Sequence, residues 1–175
     1  QWSSSAASDV YKRQELFDAN NDGFDDLLIG FGHGSASSKL FINDQGNFSE
    51  TKIIKMPDSI YGVDNQMHLV TLIHDFDHDN DEDVAILWTR YEPYYAGSYL
   101  QINQNDGTGQ FIDITNQITD DPFLDAYNGR LTWVEPWQII DVNDDGHFDI
   151  AGSRSSGTSL ISVSYTHLRA HETIA

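Results

Sequence analysis

Oxygen-bearing side chains recur at alternate positions in three short stretches: Asp18-Ala-Asn20-Asn-Asp22-Gly23-Phe24-Asp25-Asp26, Asp75-Phe-Asp77-His-Asp79-Asn80-Asp81-Glu-Asp83, and Asp141-Val-Asn143-Asp-Asp145-Gly146-His147-Phe-Asp149. Numbered from its first Asp, each carries Asp or Asn at positions 1, 3, 5 and 9, and an apolar run starts at position 10. Calcium takes six to eight hard oxygen ligands in a flexible shell. A chain doubling back on itself can supply them from the side chains of positions 1, 3, 5 and 9 and the backbone carbonyl of position 7. The spacing therefore predicts up to three Ca2+ sites. The first uses Asp18, Asn20, Asp22, the carbonyl of Phe24, and Asp26; the second uses Asp75, Asp77, Asp79, the carbonyl of Asp81, and Asp83. The third uses Asp141, Asn143, Asp145, the carbonyl of His147, and Asp149.

Position 6 must turn sharply. Gly23 and Gly146 suit a positive φ, and Asn80 is among the side-chain-bearing residues most tolerant of it. These loops are not EF-hands, which need a bidentate Glu at position 12 between two helices; position 12 here is Ile29, Ile86 or Gly152. Magnesium fits less well, since it holds to octahedral geometry and keeps its waters. Without a cation the carboxylates of the second loop repel one another, which links ion binding to loop folding.

The elements that must position these loops are strands. His68–His74 and Leu131–Ile140 are apolar, β-rich runs entering the second and third loops, and only Glu15–Phe17 enters the first. Short runs follow each loop: Asp26–Phe31, Lys39–Asn43 and Phe48–Ile54 in the first unit, Val84–Thr89, Ser98–Asn103 and Phe111–Thr115 in the second, and Phe148–Gly152 and Ser159–Ile161 in the third. Gly, Asn and Asp turns separate them, and no stretch holds a 3.6-residue period over three turns, so the chain reads as all-β. The loops recur roughly sixty residues apart, a length suited to one four-stranded antiparallel sheet per unit. Radial repetition of such sheets gives a β-propeller. The expectation is a partial β-propeller with one full blade and parts of two others, at about 15–55, 68–115 and 131–161. A calcium-binding solenoid repeats on a much shorter period.

The chain has 175 residues, with 28 acidic against 9 basic and a net charge of −19. Fourteen of the acids lie in the three loops, which points to a counterion there. Such a balance argues against nucleic acid and anionic membrane as partners. The absence of Cys excludes disulfides and thiol chemistry, and no apolar run is long enough to span a bilayer. Residues 1–14 (QWSSSAASDVYKRQ) and 162–175 (VSYTHLRAHET within it) lack the alternation and acidity of the middle and resemble translated sequencing-adapter tails. They are set aside, leaving 15–161 as a piece of a longer protein, with His167 and His171 outside it.

DANNDGFDDLLIG, DFDHDNDEDVAILW and DVNDDGHFDIAGS, with LFINDQGNF and LQINQNDGTGQF downstream, resemble the FG-GAP/VCBS repeat family, found also in the integrin-like α-subunit propeller. The resemblance spans nearly all of 15–161. It implies a calcium-stabilised propeller in a secreted, cell-surface or periplasmic protein. The departure is Asn80 in place of glycine.

Fold does not give function. The obvious carboxylates are committed to metal; Glu92 and Glu135 beside prolines, and His74 and His78 around the second loop, read as structural. Tyr91, Tyr94 and Tyr95 in one loop are a candidate ligand platform for a carbohydrate or protein, whereas Trp88, Trp133 and Trp137 read as packing between blades. The expected function is a non-catalytic recognition or adhesion scaffold. The alternative is the propeller portion of an extracellular carbohydrate-active enzyme whose active site lies elsewhere.

Overall fold

The computed structural model of the protein describes residues 13–32, 36–93, 97–118, 134–141, 144, 146, 148–154 and 160–164; for 134–137, 152–154 and 160–164 it describes the backbone alone. Among the described residues the strands are β1 (Gln14–Phe17), β2 (Asp26–Ile29), β3 (Lys39–Asp44), β4 (Asn47–Lys55), β5 (Gln66–His74), β6 (Asp83–Arg90), β7 (Tyr99–Asn105), β8 (Phe111–Asp113), β9 (Val134–Ile140), β10 (Asp149–Arg154) and β11 (Leu160–Ser164), with a short helix, α1 (Thr115–Ile118). They form three antiparallel sheets in which sequence neighbours pair: β1-β2-β3-β4 (sheet 1), β5-β6-β7-β8 (sheet 2) and β9-β10-β11 (sheet 3). Local chemistry explains the tight connections. Gln45 and Gly46 join β3 to β4 with φ of 53° and 92°, the paired positive values of a type I′ hairpin turn. The three acidic loops each join the first strand of a sheet to its second.

Sheet 2 is buried on both faces. Along β6, Val84, Ile86 and Trp88 join a core with Phe17, Leu28, Leu40, Ile42 and Met56 of sheet 1 and the segment after it. The alternate residues Ala85 and Leu87 join the second core, with Leu100 and Ile102 of β7 and with Ile150 of sheet 3. A strand whose two faces are both covered reads as a continuous apolar run, which is what Val84–Trp88 shows. Alternating side chains thus hold three sheets face to face.

Three features differ from the sequence expectations. Sheet 1 is four-stranded, because the four residues of β1 pair with every residue of β2. Pairing begins at Gln14 and runs to Ser164 through β11, so it extends past both boundaries drawn at 15 and 161. The run expected as a strand over 111–115 ends at Asp113 and turns into α1 where a polar loop was expected. The cause is local: Asp113 Oδ1 accepts from the amide of Thr115 at 2.9 Å and from its hydroxyl at 2.5 Å, a side-chain arrangement that starts a helical turn. Ile114 and Ile118, four apart, then lie on one side and enter the core between sheets 2 and 3.

A polar network crosses the interface between sheets 1 and 2. His68 is fully buried; its Nδ1 meets Ser38 Oγ and its Nε2 meets Thr71 Oγ1, each at 2.7 Å. Its ring lies 5.1 Å from that of Trp88, whose indole donates to Gln101 Oε1 at 2.6 Å. Gln101 Nε2 in turn donates to the carbonyl of Asp58 and to Asp113 Oδ2. The Asp58 carboxylate accepts from Ser37, Gln66 and Lys55. Burial alone raises its pKa, and these donors together more than reverse that, leaving it below the usual range. Gly30 leaves the room for His68: a Cβ there would stand 2.4 Å from the imidazole.

Burial, with the charge of Arg13 second, pulls the His68 pKa from 6.5 down to about 3. A histidine whose pKa is lower folded than unfolded contributes stability that is full above 6.5 and is lost as pH falls toward the folded value. The unfolding free energy in urea should therefore drop between pH 6.5 and 3 with a slope of up to about 1.4 kcal/mol per pH unit from this group. His68→Leu should remove that component of the slope; an unchanged profile would show that His68 is not held neutral.

Candidate metal site

The three loops share one backbone solution. The carboxylate of position 1 gathers the amides of positions 5 and 6: Asp18 accepts from Asp22 at 3.0 Å and Gly23 at 2.7 Å, and Asp75 from Asp79 and Asn80 at 3.1 Å each. In the third loop Asp141 Oδ2 accepts from the Gly146 amide at 2.9 Å. Position 3 adds a bond to the amide of position 5, from Asn20 in the first loop and Asp77 in the second. Position 5 accepts from the amide of position 7, Asp22 from Phe24 and Asp79 from Asp81. Such side-chain-to-amide bonds bend a chain without help from a sheet ladder.

Two positions per loop are left-handed. Position 6 has φ of 88° at Gly23, 76° at Asn80 and 86° at Gly146. Position 4 has φ of 56° at Asn21, 63° at His78 and 58° at Asp144. Asn, His and Asp are the side-chain-bearing residues enriched in this region. Sequence reasoning anticipated the turn at position 6 and missed the one at position 4, although the signal was there in the Asn/His/Asp series. That placement also gives exposed His78 a structural role.

Position 9 is buried. Asp26 accepts from the amides of Ala19 at 3.2 Å and Asn43 at 2.7 Å; Asp83 accepts from Phe76 at 3.1 Å and Asn105 at 2.9 Å. Each thus ties its loop to the third strand of its own sheet. Asp26 and Asp83 have no exposed surface, and Asp149 has almost none. Burial pushes the Asp83 carboxyl up to about 7; Asp77 and Asp79 add to the rise while the two amides oppose it. Asp26 is raised for the same first reason. Asp77 is raised by burial, partly offset by Gln104 Nε2, which donates to its Oδ2.

Asp75, Asp77 and Asp83 bring one carboxylate oxygen each within 4.8 Å of one another. Three hard anionic oxygens at that separation could hold a metal ion. A divalent charge would also reverse the rise of Asp83 by favouring its ionised form. The first two loops touch: Asn21 Nδ2 donates to Asp81 Oδ1 at 2.6 Å. Buried Asn105 donates both to the carbonyl of Ala19 in the first loop and to that of Glu82 in the second. Beside them lies an open hollow of about 450 Å³ lined by Glu15, Asp18, Asn21, Asp25 and Glu82 among others. Glu82 is raised by burial first and then by Asp18 and Asp25, so the field there is strongly negative.

The remaining candidates are distributed as follows. Asn143, Asp145 and His147 lie outside the described residues, as do Tyr94 and Tyr95 of the tyrosine loop and Trp133. Tyr91 is described and is 37% exposed, its amide held by the carbonyl of Asn65 at 2.8 Å. Trp88 is core, and His74 packs its ring edge-on to Phe76 and Phe148. No protein-family model matches the chain, and no curated protein or solved structure matches it.

The left-handed requirement at position 6 can be tested at the loop that departs from glycine. Asn80→Gly should leave stability equal or slightly higher, whereas Asn80→Ala should lower it by about 1 kcal/mol, the cost of a Cβ in that region without a compensating side-chain bond. Urea unfolding of the two variants reads the difference, and equal stabilities would remove the strain at this position.

Proposed function

We propose that this chain is a calcium-binding β-repeat module, its sheets forming a sector of a propeller like that of the FG-GAP/VCBS repeats, and that it serves a secreted or surface protein as a non-catalytic recognition scaffold. One observation carries the reading. The same sequence cassette adopts the same left-handed positions and the same position-1 carboxylate-to-amide bonding in successive sheets, and in the second loop Asp75, Asp77 and Asp83 converge. Convergent, preorganised acids are expensive to hold together without a cation.

The radial reading is supported by the first strands. β5 contacts both β1 and β9, so the opening strand of sheet 2 neighbours those of the sheets before and after it, an arrangement compatible with blades placed around an axis. Since every loop joins a first strand to a second, the loops fall at one end of that arrangement. Recognition then belongs to the connections the scaffold holds in place, where Tyr91 is partly exposed.

Calorimetric titration of calcium into chelator-stripped protein should show saturable sites, and Asp75→Ala with Asp79→Ala should remove one of them. At a free calcium concentration of about one hundred times Kd, unfolding should be opposed by about 2.7 kcal/mol per site. Unchanged stoichiometry in the double variant would defeat the metal assignment.

A further inference from the structure

The contacts that join the first two acidic loops fall between the residues expected to hold an ion. Asn21 stands at the left-handed fourth position of the first loop, with φ of 56°, between Asn20 and Asp22. Its Nδ2 donates to Asp81 Oδ1 at 2.6 Å, and Asp81 is the residue whose carbonyl serves the second loop. Buried Asn105, at the end of β7, makes a second bridge. Its Nδ2 donates at 2.8 Å to the carbonyl of Ala19, which lies between Asp18 and Asn20. The same nitrogen donates at 3.2 Å to the carbonyl of Glu82, which lies between Asp81 and Asp83.

Comparison with sheet 1 isolates the bridging bond. Asn43 holds the same place in its own sheet: its amide donates to Asp26 and its Nδ2 to the carbonyl of Asp25. Asn105 repeats both bonds, to Asp83 and to the carbonyl of Glu82, so the bond to Ala19 is what it adds. The turn beyond it is fitted to the second loop as well. Gln104 Nε2 donates to Asp77 Oδ2, and a Cβ on Gly107 would stand 2.5 Å from Asp81 Oδ2.

We propose that the first and second loops bind calcium cooperatively, an ion in either one raising the affinity of the other through Asn21 and Asn105. The inference rests on the calcium reading of the loops and concerns how two sites communicate. Without an ion the carboxylates of a loop repel one another, and hydrogen bonds alone oppose that repulsion. An ion fixes the ligands of its own loop and with them one end of each bridge. The other loop then has less left to order, so it binds its ion more tightly. Two cations also repel, but that effect is screened over about 8 Å at physiological ionic strength, whereas the bridges act in direct contact. One net hydrogen bond corresponds to about a fivefold change in an equilibrium, which sets the scale of the coupling.

NMR of the full chain in chelator-buffered calcium, at physiological ionic strength, tests this. The amides of Gly23 and Asn80 report the two loops separately. The second loop offers four side-chain carboxylates to the first loop's three, so it fills first. Asp77→Asn with Asp79→Asn reverses that order with little change of shape. It also leaves the empty second loop with the net charge it would carry when filled, so any shift at Gly23 reads order rather than charge. The Gly23 curve should move to about fivefold higher calcium. Asn21→Gly, which keeps the left-handed backbone, and Asn105→Ser, whose side chain is shorter, should each reproduce part of that shift. Neither should add to it once Asp77 and Asp79 are replaced. A Gly23 curve unmoved by the Asp77 and Asp79 replacements would overturn the proposal. So would an Asn21→Gly shift that persists in full beside them, the mark of a bond that only props its own loop. In both cases two bound ions leave the calcium reading standing; no ion in either loop would overturn that reading and the coupling together.

Discussion

A buried carboxylate at the end of each acidic loop is the constraint on which the architecture turns. Asp26 and Asp83 each hold one amide at the start of their own loop and one on the third strand of their sheet. A single side chain therefore sets the path of the loop, the entry to the second strand and the end of the third. Burying a carboxylate is costly unless its charge is compensated. Two amide donors compensate in part, and the position of Asp83 near 7 shows that they do not complete it. What remains favours a proton or a cation, and the neighbouring acids of the loop suit a cation.

The same region links one sheet to the next. Asn105 sits in the hairpin of sheet 2 and donates to the first loop through Ala19, while its Oδ1 receives the amides of Gly107 and Gly109. Asn21 reaches from the first loop to Asp81 in the second. Order in one loop is thereby shared with the hairpin and loop of its neighbour. Elsewhere in the same interface, His68, Trp88, Gln101 and Asp58 form a second buried network whose donors and acceptors are matched in place. Apolar cores supply most of the driving force between the sheets. The two polar networks fix how the sheets are aligned.

Much of this was legible from residue types. Strand positions follow from short apolar runs between turn formers, and the antiparallel meander follows from the shortness of the connections. Position 6 of each loop follows from Gly and Asn. The helix at 115–118 was missed because it is a single turn: Asp113 and the Ile114–Ile118 pair carry its signal over too few residues to register as a period. The extent of sheet 1 was underestimated because four residues look too few for a strand, yet pairing along the whole of β2 and burial of Phe17 hold them.

The sequence by itself determined that three loops would offer oxygens at alternate positions and that strands would flank them, because both depend on spacing along one chain. Only the tertiary structure decided that position 9 is a buried post joined to a third strand, and that Asn105 and Asn21 connect adjacent loops. These relations join residues far apart in the chain, and a side chain's burial depends on which sheet lies over it. Spacing carries no record of that.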